Sequence, residues 1–171
     1  MQSDQHKIVN GLSPSRNESA AGRDAPALPT RRVGRTGDIV QLVYVSRPTL
    51  SLVEQDARQI AASSRRNNWR AGLTGCLLFT GTGFAQALEG RAEPVLRLYD
   101  RIARDPRHTH VRVVLEIGVK ARAFPDWAMG FVPDFALAAE IGALLEEVAC
   151  SPASVARLMT RMTADAFLGA S

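Results

Sequence analysis

The 171-residue chain is poor in aromatic residues (6%), carries only two cysteines and nowhere runs apolar for long. A membrane-spanning helix takes ~20 consecutive apolar residues, so none is expected. The N-terminus lacks the charged-then-apolar pattern of a secretory signal, which makes a cytoplasmic location the expectation. Cys76 and Cys150 have neither metal-ligand nor redox-pair spacing, and Cys76, inside an apolar run, reads as a small buried hydrophobe. No strong excess of one charge exists, because 21 basic and 17 acidic residues leave a formal net charge of +4. The clusters "RR" at 31–32 with Arg35 and "RRNNWR" at 65–70 suit either an anionic ligand or a solvated surface. No nucleic-acid motif is present, so DNA or RNA binding is not expected. His6, His108 and His110 have no Ser or Cys partner in a nucleophile-base arrangement, and "TGTG" reads as a hairpin turn, not an anion-cradling loop. Enzymatic activity is therefore not expected.

The chain is 46% hydrophobic, enough for one sizeable core. Residues 1–38 differ from the rest: they are rich in Gly, Pro, Ser and Arg without an apolar period, and read as a disordered tail. From "IVQLVYVS" (39–46) onward the pattern is ordered, with Val40, Leu42, Tyr44 and Ser46 on one face of a strand. Ser51 and Glu54 form a capping-box pattern, followed by a stripe of Leu52, Val53, Ala57, Ile60 and Ala61 that predicts a helix ending near "RRNN". "AGLTGCLLFT" and "FAQALEG" flank the turn "GTG" as a β-hairpin. Pro94 in a first turn opens a second helix, with Val95, Leu98, Tyr99 and Ile102 inward, terminated by "RDPRHTH". A fourth strand is predicted over 111–118, a short fifth near 127–132, and helices over about 137–148 and 152–167.

The order βαββαββ followed by helices predicts an α+β, ferredoxin-like fold: a five-stranded sheet, two helices on one face, plus C-terminal helices. The expected organisation is a tail over 1–38, one domain over 39–133 and a helical extension over 134–171. The first and third strands are neighbours in this topology. That bears on a puzzle in "GFAQALEG": Phe84, Gln86 and Leu88 alternate onto one face, so an amide points where two large apolar side chains point. A buried, unpartnered amide costs about 1–3 kcal/mol. Tyr44 can meet Gln86 across the strands, yet a glutamine has four hydrogen-bonding sites and one phenol cannot fill them. A planar heteroaromatic ligand wedged between the helices, with Asn67 and Asn68 lining the same cleft, would supply the rest.

From Val43 to Phe131 the chain resembles a BLUF domain, the blue-light sensor that uses FAD. "LVYVS", "SSRRNNWRAGLTG", "LLF", "GFAQALEG", "RIARDPRHTHV" and "FPDWAMGF" carry the resemblance jointly, in this order and with these gaps. It implies a non-covalent FAD whose ring lies between the two helices. Tyr44 and Gln86 match the tyrosine and glutamine at its edge. Asn67 and Asn68 match asparagines on its carbonyl and ring-nitrogen edge, Arg107 a basic residue near the other carbonyl, and His108 the next family position. Trp127 and Met129 match the semi-variable pair of the last strand, sharing a strand face. No key position is lost. The implied photochemistry has Tyr44 give an electron and then a proton through Gln86, whose amide ends rotated or tautomerised, with a slight red shift of the flavin. The fifth strand would carry the change to the C-terminal helices. The likeness to short BLUF proteins implies a homo-oligomer and a separate downstream signalling protein. Glu89 and Gly90 also match, and are expected to serve the strand end and turn. The alternative is a ferredoxin-like small-ligand regulatory module without photochemistry, which would purify colourless.

Overall fold

Alternation along β1 (Ile39–Pro48) dictates layers on both sides of the sheet. Val40, Leu42 and Tyr44 point one way, Val43 and Val45 the other, and all five are buried. In the computed structural model, which describes residues 39–50, 52–146 and 151–166, β1 lies inside a sheet of order β4-β1-β3-β2-β5. The remaining elements are α1 (Glu54–Arg70), β2 (Thr74–Phe79), β3 (Phe84–Arg91), α2 (Ala92–Ala103), β4 (His108–Val119), β5 (Gly130–Pro133), α3 (Ala138–Glu146) and α4 (Pro152–Ala166). Strands β1 to β4 are antiparallel to their neighbours and β5 runs parallel to β2, which extends the ferredoxin-like order by one strand. The expected tail, Ser51 and Cys150 lie outside the described residues.

Two cores result. Helices α1 and α2 cover the face of Leu42, Tyr44, Leu77, Phe79, Phe84 and Leu88. Helices α3 and α4 cover the opposite face, where Ile141, Leu144, Leu158 and Met162 pack on Val43, Val45, Cys76 and Leu78. The small Ala85 and Ala87 of β3 line that second face. Close approach is visible at Gly83, where an added Cβ would sit 2.8 Å from a methyl of Ile141.

Several boundaries differ from the sequence expectation, each for a local reason. Helix α1 starts at Glu54: Val53 takes the extended N-cap conformation and Asp56 reaches back to its backbone N–H at 3.0 Å. Asp56 therefore does the job expected of Glu54, which pairs with Arg58 instead, and Val53 is exposed, not part of the stripe. The helix also continues past Asn67 and Asn68 to Arg70. Its end is a Schellman turn, in which Leu73 N–H bonds Asn68 C=O at 2.9 Å and Gly72 N–H bonds Trp69 C=O at 3.1 Å. Gly72 takes the left-handed conformation (φ 65). Strand β4 begins at His108, earlier than the alternation suggested, and β5 begins only at Gly130.

Docking of α4 predicts that Leu158→Ala, at a fully buried position, costs about 2–5 kcal/mol of stability by denaturant unfolding. A variant as stable as its parent would mean that this helix does not pack on the sheet.

Candidate functional site

Register brings the two central residues together. Tyr44 of β1 and Gln86 of β3 are direct cross-strand partners, and both side chains point to the α1/α2 face. The buried Tyr44 hydroxyl donates to Gln86 Oε1 in a short hydrogen bond. Gln86 Nε2 donates in turn to the sulfur of Met129 at 3.2 Å. Burial drives the Tyr44 phenol far above its ordinary pKa, with Tyr99 and Asp105 adding to the effect. The hydroxyl is therefore held neutral, with its proton on the bond to Gln86.

A cavity of about 240 Å³ opens beside this pair, between α1 and α2, lined by Tyr44, Gln86, Asn67, Asn68, Arg107 and His108 among others. It is smaller than the ~300–1,000 Å³ of pockets that enclose a whole drug-sized ligand. A second cavity of about 530 Å³ adjoins it, sharing Asn67, Asn68, Leu98 and Arg101 and adding Arg70 and Arg97. The arrangement suits a flat ring system in the inner cavity and an anionic tail in the outer one.

The paired asparagines are not equivalent. Asn68 is buried and its Nδ2 donates to Ala128 C=O at 3.0 Å, while its Oδ1 has no hydrogen-bond partner among the described residues. Asn67, one residue earlier, is exposed at the cavity rim. Gln86 likewise uses two of its four hydrogen-bonding sites. These unmet buried groups, beside the cavity between α1 and α2, fit the donor and acceptor edge of a flavin.

Arg107 reaches the rim but is held by Asp105, its Nη2 lying 2.5 Å from Oδ2. That ion pair pulls the Asp105 carboxyl down to about 2. His108, the first residue of β4, bonds Ser46 Oγ through Nδ1 at 3.1 Å and lies against the Phe84 ring. Burial lowers its pKa, Arg107 adds to that, and Asp105 opposes it. Neither Asp105, Ser46 nor the cavity-lining Arg101 was singled out from sequence. An acidic or basic residue beside a loop is too common to stand out in a linear pattern.

Trp127 and Met129 correct the expectation of a shared strand face. Both precede β5, in the segment that joins it to β4. Met129 belongs to the core under α1 and α2, whereas Trp127 packs against the core under α3 and α4. Gly130 explains the arrangement: a Cβ there would lie 1.8 Å from the Trp127 ring, so the indole folds back over it. The pair straddles the sheet. Three successive carbonyls fix the segment: Trp127 C=O accepts from Gly75 N–H at 2.8 Å, Ala128 C=O from Asn68, and Met129 C=O from Arg65 Nε at 2.9 Å. Glu89, expected to serve a turn, is instead fully buried in β3 on the face opposite Gln86 and takes hydrogen bonds from this same segment.

Comparison with known proteins shows the family. The family of sensors of blue light using FAD matches residues 39–130. A photoactivated adenylate cyclase subunit beta of Euglena longa is 34% identical over 100 residues, 57% of this chain and 12% of that protein. The blue light- and temperature-regulated antirepressor of Escherichia coli is 38% identical over 66 residues, 39% of this chain and 16% of that protein. The dark-state structure of BlrB, a BLUF protein, superposes with a TM-score of 0.62 at 35% identity, covering 75% of this chain and 97% of that one. The chain thus spans about an eighth of the length of the cyclase subunit. It belongs to the BLUF family of blue-light sensors that use FAD, and its matched domain is a sensory module.

The buried imidazole carries a pH signature. Its folded pKa is depressed, so its stabilising contribution is full above the unfolded value of 6.5 and is lost as pH falls through the folded value. Stability should fall as pH drops below 6.5 in the parent, and His108→Gln should flatten that part of the profile in denaturant titrations. An unchanged slope would contradict the neutral, buried imidazole.

Proposed function

We propose that the Tyr44–Gln86–Met129 chain of hydrogen bonds is the light switch of this protein, and that its output reaches a separate partner protein through the C-terminal helices. The observation that carries this reading is the position of Gln86, whose amide joins a neutral buried phenol to the sulfur of a residue in the segment leading to β5.

Asn68, Gln86 and the rim residues Asn67, Arg107 and His108 would hold the flavin ring, and Arg70, Arg97 and Arg101, which line the outer cavity, would suit its anionic part. When bound, the flavin supplies absorption of blue light and a strongly oxidising excited state. Tyr44 is the electron donor. Its hydroxyl cannot ionise alone in this burial, so loss of an electron must go with transfer of its proton to Gln86 Oε1, the acceptor it already bonds. Return of the electron and of the proton to Tyr44 would close the cycle and leave a neutral amide changed in orientation or tautomer. Rotation by half a turn would set Nε2 toward the Tyr44 oxygen and Oε1 toward the Met129 sulfur. An N–H···S contact would thereby become a contact between two acceptors, which biases Met129 to move. A glutamine can do this because its two ends differ in hydrogen-bonding sense; Glu, Leu or Met offers no such exchange.

Because Met129 and Trp127 are two residues apart in the segment that precedes β5, yet pack in different cores, a shift of the first would pass along that backbone to the second without crossing the sheet interior. Trp127 packs in the core that α3 and α4 complete. The switch is a two-state element biased by one local bond. One relative is named as a blue light- and temperature-regulated antirepressor and another as a subunit of a photoactivated adenylate cyclase. In the present protein the effector is proposed to be a second polypeptide, with a homo-oligomer of the sensor as the signalling unit.

Tyr44→Phe and Gln86→Leu should keep the yellow flavin but lose the reversible red shift that the parent shows after a blue flash, as read by visible absorption in darkness and after illumination. A full, persistent shift in Tyr44→Phe would contradict the electron-donor role.

A further inference from the structure

Glu89 is a fully buried carboxyl in the middle of a sheet, a costly placement that a strand end or a turn does not require. Its donors among the described residues are neutral, the Thr74 hydroxyl among them at 3.4 Å from Oε2. Gln41 Nε2 donates to Oε1 at 2.7 Å, and the consecutive backbone N–H groups of Ala123 and Phe124 donate to Oε1 and Oε2 at 2.8 and 3.0 Å. Arg122 tightens the same junction, its Nη1 reaching Glu89 C=O at 2.9 Å and Thr74 Oγ1 at 2.8 Å. A carboxyl that accepts from two successive amides, one on each oxygen, holds that piece of backbone to β3 at two points.

The piece it holds is the root of the segment that bears Trp127 and Met129. Past Phe124 the segment is tied to β2 at Trp127 and to α1 at Ala128 and Met129. We propose that Glu89 is a positioning residue for signal output: it pins residues 122–124 to β3, so that displacement of Met129 turns the segment about that point and carries Trp127 with it. Without the pin, the six residues from Ala123 to Ala128 absorb the displacement as slack. Gln86 and Glu89 thus sit on opposite faces of one strand, the first starting the motion and the second holding the fulcrum. The proposal rests on the light-sensing reading above, since it concerns what becomes of a change that begins at Gln86.

The test uses the full chain loaded with FAD, with the exposed Trp69 changed to Phe, which leaves Trp127 as the only tryptophan of the two in the sequence. Two signals are recorded in darkness and after a blue flash: the flavin red shift, and the accessibility of Trp127 to acrylamide quenching. Glu89→Gln keeps the shape of the side chain but presents an N–H to a backbone N–H. It should retain the full flavin shift while the light-induced change at Trp127 falls to less than half that of the parent. A merely structural role would lower stability and leave the ratio of the two signals intact. Glu89→Gln with a parental ratio overturns the proposal. If that variant does not take up flavin, Arg122→Gln, at a partly exposed position, decides instead: a reduced ratio supports the pin, a parental one refutes it. A parent chain that binds FAD but shows no shift at all refutes the light-sensing reading, and this proposal with it.

Discussion

One amide placed between a phenol and a thioether organises the functional half of this molecule. Gln86 can join Tyr44 to Met129 only because β1 and β3 are neighbours with these two residues in direct register, and because both alternate onto the face that α1 and α2 cover. A shift of one residue in that pairing would send Gln86 to the other face and leave the phenol without its acceptor. The topology is thus a condition of the chemistry. So is the depth of burial, since an exposed tyrosine could lose its proton to water and would have no need of the amide.

The sheet separates two cores, one beside the cavity between α1 and α2 and one under the C-terminal helices, and the proposed route between them runs around its β5 edge. Met129 and Trp127 are two residues apart yet pack in different cores. The short β5, beginning only at Gly130, leaves this turn of backbone outside the regular ladder, where it is held by side chains of α1, by Glu89 and by a single backbone bond from Gly75 of β2. Bonds of that kind can be exchanged one at a time. A longer β5 with Trp127 and Met129 in regular pairing would hold both residues rigidly and point them the same way.

Much of the fold was legible because alternation is a strong signal where a strand is buried on one face at a time. The faces of β1 and β3, the hairpin turn, the inward residues of α2 and the ferredoxin-like order all follow from it. The odd polar residue on an apolar face also pointed to the cleft before any family likeness was invoked. Other features depend on competition between neighbouring residues that a linear pattern does not rank. Ser51 and Glu54 matched a cap, but Asp56 is the residue that reaches the Val53 N–H. Asn67 and Asn68 read as a helix end, yet Gly72, four residues after Asn68, takes the left-handed position more cheaply and lets the helix run on. Trp127 and Met129 looked co-facial because their spacing is that of a strand, and only the contact of the indole with Gly130 reveals the bend. Glu89 was invisible as an anchor, since its donors come from residues more than thirty positions away.

The central claim is that the side-chain amide of Gln86 changes its hydrogen bonding with light. Light-minus-dark infrared difference spectra of the FAD-loaded chain, prepared with ordinary and with isotope-labelled glutamine, test it most directly. A side-chain amide band that moves with the label, appears on illumination, reverses in darkness and vanishes in Gln86→Leu is the expected result. A difference spectrum untouched by the label would contradict the account.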